Sequence, residues 1–177
     1  KDFDLVVVTR FFEIKRLDKL IDIIHQVKAN GKKLKCCIIG SGPLLNRILE
    51  YSKYKEVFDQ IKFIRKLDER LIPIMMNRGK IFLLTSDSEG LPHTLLESMS
   101  CGLVPISSNV GDISSVIDNG KNGFLVDGNV AEYVTIIEML IEDNQLIKKI
   151  SHSASSSIEE NNSLQVGQKY WNKLIQK

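Results

Sequence analysis

The chain has 177 residues, 43% hydrophobic and 26% charged, with 24 Lys and Arg against 22 Asp and Glu for a net charge of +2. This balance suits one globular domain with a core of its own, and a sequence pI near 8.4 with Lys and Arg spread along the chain leaves no nucleic-acid footprint. No apolar run approaches the ~20 residues of a bilayer span. The start Lys1-Asp2-Phe3-Asp4 has no signal-peptide layout, and Cys36, Cys37 and Cys101 lack metal-ligand or disulfide spacing, so reduced thiols and a cytoplasmic address are expected.

Residues 4–9 are almost continuously apolar, the pattern of a strand buried on both faces of a parallel sheet. Residues 10–16 form a charged loop. Leu17, Leu20, Ile21, Ile24 and Val27 then share one stripe of a helix that Asn30-Gly31 ends. Residues 35–39 read as a second strand, Gly40-Ser41-Gly42-Pro43 as a tight turn, and residues 44–54 as a second helix. A third strand follows at 61–65. The helix expected over 68–78 contains Pro73, which predicts a late start or a kink. The adjacent Cys36 and Cys37 read as small core fillers.

The stretch 80–109 repeats this alternation most clearly. Residues 80–85 are a strand, Ser86 to Pro92 a loop, 93–101 a helix with Leu95, Leu96 and Met99 inward, and 103–106 a further strand after Gly102. A helix N-terminus that opens at the carboxyl end of a strand is an anion site, because unpaired N–H groups and the helix dipole both face the loop. Glu89 and Glu97 bracket that loop. Carboxylates repel phosphate but accept hydrogen bonds from hydroxyls, so the pair suits a ligand with both, such as a nucleotide sugar. The alternative is local: Thr94-Leu95-Leu96-Glu97 fits a capping box, in which Glu97 only satisfies a backbone N–H. Beyond it, 111–118 reads as a short helix, 119–123 as a turn, 123–126 as a sixth strand, and 131–142 and 144–157 as helices. A last helix begins near Ser163, with Val166, Tyr170, Trp171 and Leu174 on one side. Six alternations of strand and helix imply an α/β, Rossmann-like doubly wound parallel sheet with helices on both faces. The abrupt entry into the first strand suggests a chain cut at a domain boundary.

Glu89-Gly90-Leu91-Pro92-His93-Thr94-Leu95-Leu96-Glu97, followed by Ser98-Met99-Ser100-Cys101-Gly102-Leu103-Val104-Pro105, resembles the E-x7-E motif and the segment after it in group 1 glycosyltransferases, family 4 of the sugar-enzyme classification. Ser98 and Ser100 stand where that family usually has Ala. Arg10-Phe11-Phe12-Glu13-Ile14-Lys15 resembles the family's G-R-x-x-x-x-K-G segment, with Thr9 and Arg16 in place of the glycines, and Gly40-Ser41-Gly42-Pro43 its G-x-G-P turn. A dinucleotide fingerprint would need a glycine at Leu45, so NAD binding is disfavoured. Arg65 stands where the family has glycine after the third strand, and either stacks on the base or faces water. Val110-Gly111-Asp112-Ile113-Ser114-Ser115 aligns with G-G-x-x-E, with Asp112 for glycine and Ser115 for glutamate.

The resemblance implies residues 1–177 to be the nucleotide-sugar (donor) binding half of a two-domain GT-B enzyme, with an N-terminal acceptor domain outside this chain. It implies a retaining, metal-independent glycosyltransferase with no cofactor beyond its nucleoside-diphosphate sugar. Glu89, Arg10 and Lys15 would be catalytic, the two cations stabilising the departing diphosphate. Glu97 would hold the ribose, and Gly90, Leu91, Pro92, His93, Thr94, Gly40, Gly42, Arg65 and Lys66 would line the donor. The acceptor would be a glycan or a lipid-linked group met through the other domain, with peripheral association at the inner face of the membrane. The substitutions at Thr9, Arg16, Asp112 and Ser115 leave a second expectation, a non-catalytic nucleotide-sugar-binding module or regulatory partner.

Overall fold

The computed structural model describes residues 1–162, so the helix expected from Ser163 lies outside the described residues. Six strands, β1 (Phe3–Val8), β2 (Cys36–Ile39), β3 (Ile61–Ile64), β4 (Gly79–Leu84), β5 (Val104–Ser108) and β6 (Phe124–Val126), pair in parallel in the order β3-β2-β1-β4-β5-β6. This is the expected doubly wound sheet. Successive strands are added outward from β1 on one side and from β4 on the other, so the order reverses between them and leaves a crevice at their carboxyl ends.

The helices are α1 (Leu17–Ala29), α2 (Leu45–Tyr54), α3 (Ile72–Met76), α4 (His93–Ser100), α5 (Val130–Glu142) and α6 (Asn144–Asn162). Side chains alternate across each strand and feed two cores. Leu5, Val7, Ile38, Ile81 and Leu83 join α1 and α5 residues such as Leu20, Ile24 and Ile137. Val6, Cys37, Ile39 and Phe82 join Leu95 and Met99 of α4. Both faces are covered, and this is why the strands are apolar without alternation; each buried Leu, Ile or Val contributes about 1.5–3 kcal/mol. Helix α6 serves both layers, with Ile147 and Ile150 in the first and Ala154 and Ile158 in the second. Cys36 and Cys37 fill opposite faces as expected, and burial pushes the Cys37 thiol up to about 11.

One expected helix starts late, as Pro73 predicted, and one does not form. In place of one over 68–78 there is a 3-10 turn at Glu69–Leu71, started by Asp68 accepting from Arg70 N at 3.0 Å, and then the short α3. Pro73 stands in the first turn of α3, where a missing N–H leaves no bond unmade, so it sets a late start. The helix expected over 111–118 is only a 3-10 turn at Ile113–Ser115. Asn122 takes its place as organiser: it accepts from Asp118 N at 2.7 Å and donates to Val116 O at 3.0 Å, which draws the chain out of a helical path. β5 also runs two residues past the expected 103–106, because β6 pairs along Ile106–Ser108.

Candidate functional site

At the reversal of strand order, the carboxyl ends of β1 to β4 enclose a cleft of about 410 Å³ whose charged lining is Arg10, Lys15, Arg65, Lys66, Glu69 and Glu89. Phe11, fully buried, turns the chain after β1, and a 3-10 turn at Glu13–Lys15 carries Lys15 back over the cleft. There Lys15 Nζ donates to both oxygens of Glu89, at 2.7 and 2.8 Å, and Ser86 Oγ donates to Glu89 Oε1 at 2.6 Å. The Lys15 and Glu89 side chains are only 18% and 10% exposed, so these charge-assisted bonds are shielded from water.

The loops after β1 and β4 are joined at several further points. Thr85 Oγ1 donates to the carbonyls of Lys15 and Arg16 at 3.0 and 3.1 Å, and Asp87 N donates to Ile14 O at 2.9 Å. Arg16 spans both loops, donating through Nε to Asp18 at 3.1 Å and through a terminal nitrogen to Asp87 at 3.0 Å; these two carboxylates raise its pKa still further. Ser108 Oγ donates to Ser86 O at 2.6 Å from the end of β5, and the buried Tyr133 hydroxyl donates to Leu84 O at 2.9 Å. Gly111, at φ +58°, lies so close to the Glu89 backbone that a Cβ would overlap Glu89 O. Ser86, Ser108 and Tyr133 were not among the residues singled out in the sequence. The signal available for the serines is a run of hydroxyl residues closing an otherwise apolar strand.

The turn after β2 seals the β1 loop from the other side. Gly40 has φ +137°, and a Cβ there would overlap Thr9 O, so only glycine permits this approach. Gly40 lines the cleft; Gly42 does not, and lies against the backbone of Phe11. Arg10 stacks over the Phe12 ring at 5.6 Å and makes no ion pair among the described residues. At the far end Arg65, Lys66 and Glu69 are exposed, and their side chains also have no hydrogen-bonded or ionic partner among the described residues.

Helix α4 begins after Pro92, whose side chain makes no capping bond. Thr94 is the second helical residue, so the capping box of Thr94 and Glu97 does not form, which removes the local explanation for Glu97. Pro92 and Thr94 line the cleft. Gly90, Leu91, His93 and Glu97 do not; His93 and Glu97 are exposed, with Glu97 three residues beyond Thr94 and therefore on the same helix face.

A sequence profile of the family described as glycosyl transferases group 1 matches residues 1–157. The chain belongs to that family. Among curated relatives, N-acetyl-alpha-D-glucosaminyl L-malate synthase of Bacillus anthracis is 27% identical over 157 residues, 88% of this chain and 40% of that one. The chain thus spans less than half the length of that relative. Two solved structures share the fold. HepE of Anabaena, in complex with UDP, gives a TM-score of 0.87 at 21% identity, over 99% of this chain and 49% of its own. The C-terminal domain of the group 1 glycosyl transferase LpcC of Francisella tularensis gives 0.82 at 21% identity, over 91% of this chain and 87% of its own.

Within this group 1 glycosyltransferase chain, the departures from the family pattern have physical accounts. Arg16 adopts the left-handed conformation, φ 48° and ψ 48°, which glycine takes without strain, and its pairing with Asp18 and Asp87 offsets the cost. It is occupied by carboxylates and does not line the cleft. Asp112 has φ −92°, which needs no glycine, and its N–H donates to Gly90 O at 3.2 Å, supporting the loop. Ser115 Oγ donates to Asp112 O at 2.6 Å inside its own turn, away from the cleft. Thr9 lines the cleft.

Proposed function

We propose that this chain is the donor-binding half of a retaining glycosyltransferase, which takes a sugar from a nucleoside-diphosphate sugar without a metal ion. The observation that carries the reading is the arrangement at the β1–β4 crevice: Arg10 with no ion pair among the described residues, and Lys15 locked to Glu89 across it. A diphosphate placed there meets the Arg10 guanidinium directly and draws on Lys15. As the bond from the anomeric carbon to the phosphate oxygen breaks, its electron pair goes to the diphosphate, and fixed cations stabilise that charge. Glu89 faces the sugar and accepts from its hydroxyls once Lys15 turns toward phosphate, and Ser86 keeps the carboxylate aimed. Glu97, with no cap to serve, holds the ribose hydroxyls. The UDP in the HepE structure supports a nucleotide ligand.

The acceptor, a glycan or a lipid-linked group, is bound by a further domain of a longer protein facing this cleft. Any contact of that protein with the membrane's inner face is peripheral on this reading; no described helix is long and apolar enough to cross a membrane. Calorimetric titration with nucleoside diphosphate, with and without chelator, tests the metal-independent part. The affinity should change less than about twofold, and a loss of tenfold, about 1.4 kcal/mol, would refute it. Retention is read from the anomeric configuration of the product made by the full-length protein, which should match the donor's.

A further inference from the structure

We infer that Glu69, with Arg65 and Lys66, makes the base end of this cleft a guanine reader, so that the donor is a GDP-sugar. The inference rests on the reading of the cleft as a nucleotide-sugar site and adds the identity of the base. The register pairs Val8 with Ile39 and Ile39 with Ile64, so the next residues, Thr9, Gly40 and Arg65, form one row along the carboxyl edge. Two strand spacings place Arg65 on the order of 10 Å from Thr9, the reach of a nucleoside whose phosphates sit at Arg10 and Lys15.

The charges at that end are not a generic solvated run. Asp68 is spent: it accepts from Arg70 N and Nε at 3.0 Å each and from a terminal guanidinium nitrogen at 2.6 Å, and neither residue of that pair lines the cleft. Glu69, its neighbour on the same 3-10 turn, does line it, and its carboxylate has no partner among the described residues. A carboxylate beside an anion-binding cleft repels phosphate, so the part of the ligand it meets must offer hydrogen-bond donors, and at a nucleoside's length from Arg10 and Lys15 that part is the base rather than the ribose or the sugar.

Guanine alone among the four bases presents two adjacent donors, N1–H and the N2 amino group, which match the two oxygens of one carboxylate. Beside them lies O6, an acceptor for the N–H groups of Arg65 or Lys66. Uracil offers one N–H between two carbonyl oxygens, so the second carboxylate oxygen would face a carbonyl. Cytosine and adenine offer one amino group beside a ring nitrogen that is itself an acceptor. Leu67 and Ile72, also lining the cleft, give the ring an apolar face.

The test is a titration of the chain with GDP, UDP, CDP and ADP, repeated on Glu69→Gln. GDP should bind at least about tenfold more tightly than the others. Glu69→Gln should weaken GDP by a similar factor and leave UDP unchanged or tighter, since a carboxamide can both donate to a uracil carbonyl and accept from its N–H. Glu69 is exposed, and a melting curve of the variant should match that of the parent. Equal or tighter binding of UDP, or a loss for all four nucleotides alike in Glu69→Gln, would overturn the guanine reading and leave the nucleotide site standing. Absence of binding by all four would overturn both.

Discussion

At the β1–β4 end of the cleft Lys15 and Glu89 hold each other and Arg16 holds Asp18 and Asp87, whereas at the β3 end the side chains of Arg65, Lys66 and Glu69 have no partner among the described residues. The first end is finished by folding: its loops are bonded through Thr85, Asp87 and Arg16 before any ligand arrives. On the proposed function the braced loops fix where Arg10 and Lys15 stand, and only the Lys15 ammonium has to turn from Glu89 when charge develops on a departing diphosphate. The second end leaves its polar groups for the ligand to satisfy. Chemistry common to a family belongs at the first kind of place, and selection of one substrate among similar ones at the second.

The contrast can be broken by substitution. The largest effect is expected for Gly40→Ala, since φ +137° and the overlap with Thr9 O leave no relaxed solution. Urea unfolding should show a loss of about 3 kcal/mol or more, against a change within about 0.5 kcal/mol for Gly90→Ala, where a Cβ meets nothing within 4 Å. Similar costs at both glycines would show that the β1 and β2 loops are not braced. Next, Lys15→Met leaves the shielded Glu89 with Ser86 alone and should cost about 1–3 kcal/mol, while Arg65→Met should be near neutral.

Arg16→Gly is expected to be the smallest, within about 1 kcal/mol at neutral pH, because relief of the left-handed backbone offsets the lost ion pairs. Its signature is in acid. Partial burial pushes the Asp18 carboxyl up, but the hydrogen bond and charge of Arg16, with the backbone N–H groups of Asp18 and Lys19, together hold it below the ordinary carboxylate range. A folded-state value depressed below the unfolded one gives stability that is fully present above about pH 3.9 and lost as pH falls through the folded value. The stability difference between parent and variant should therefore shift toward the variant below about pH 4. A constant difference would mean that the Arg16 to Asp18 contact contributes nothing.

The fold was readable because β1, β2 and β4 are buried on both faces and so appear as unbroken apolar runs such as Leu5 to Val8. The late helix start at Pro73 was legible as well, whereas the segment misread is one where local chemistry overrides periodicity: Asn122 pulls 116–118 out of a helix. In the site, the Arg10, Lys15, Glu89 and Glu97 positions were visible as spacing. That Lys15 and Glu89 bind each other was not, because they are 74 residues apart and meet only through the pairing of β1 with β4. Glu69 was hidden for a different reason. Asp68-Glu69-Arg70 looks like any charged helix start until the structure shows Asp68 and Arg70 consuming each other.

The central claim, that this cleft receives a nucleoside diphosphate at the β1–β4 crevice, is tested most directly by titrating the parent chain and Arg10→Ala side by side with GDP and UDP while following their melting. Arg10 makes no ion pair among the described residues and stacks only on the exposed Phe12, so the two proteins should melt nearly alike, and the variant should bind its preferred nucleotide at least tenfold more weakly, about 1.4 kcal/mol. Unchanged affinity in Arg10→Ala, with the fold intact, would contradict the account.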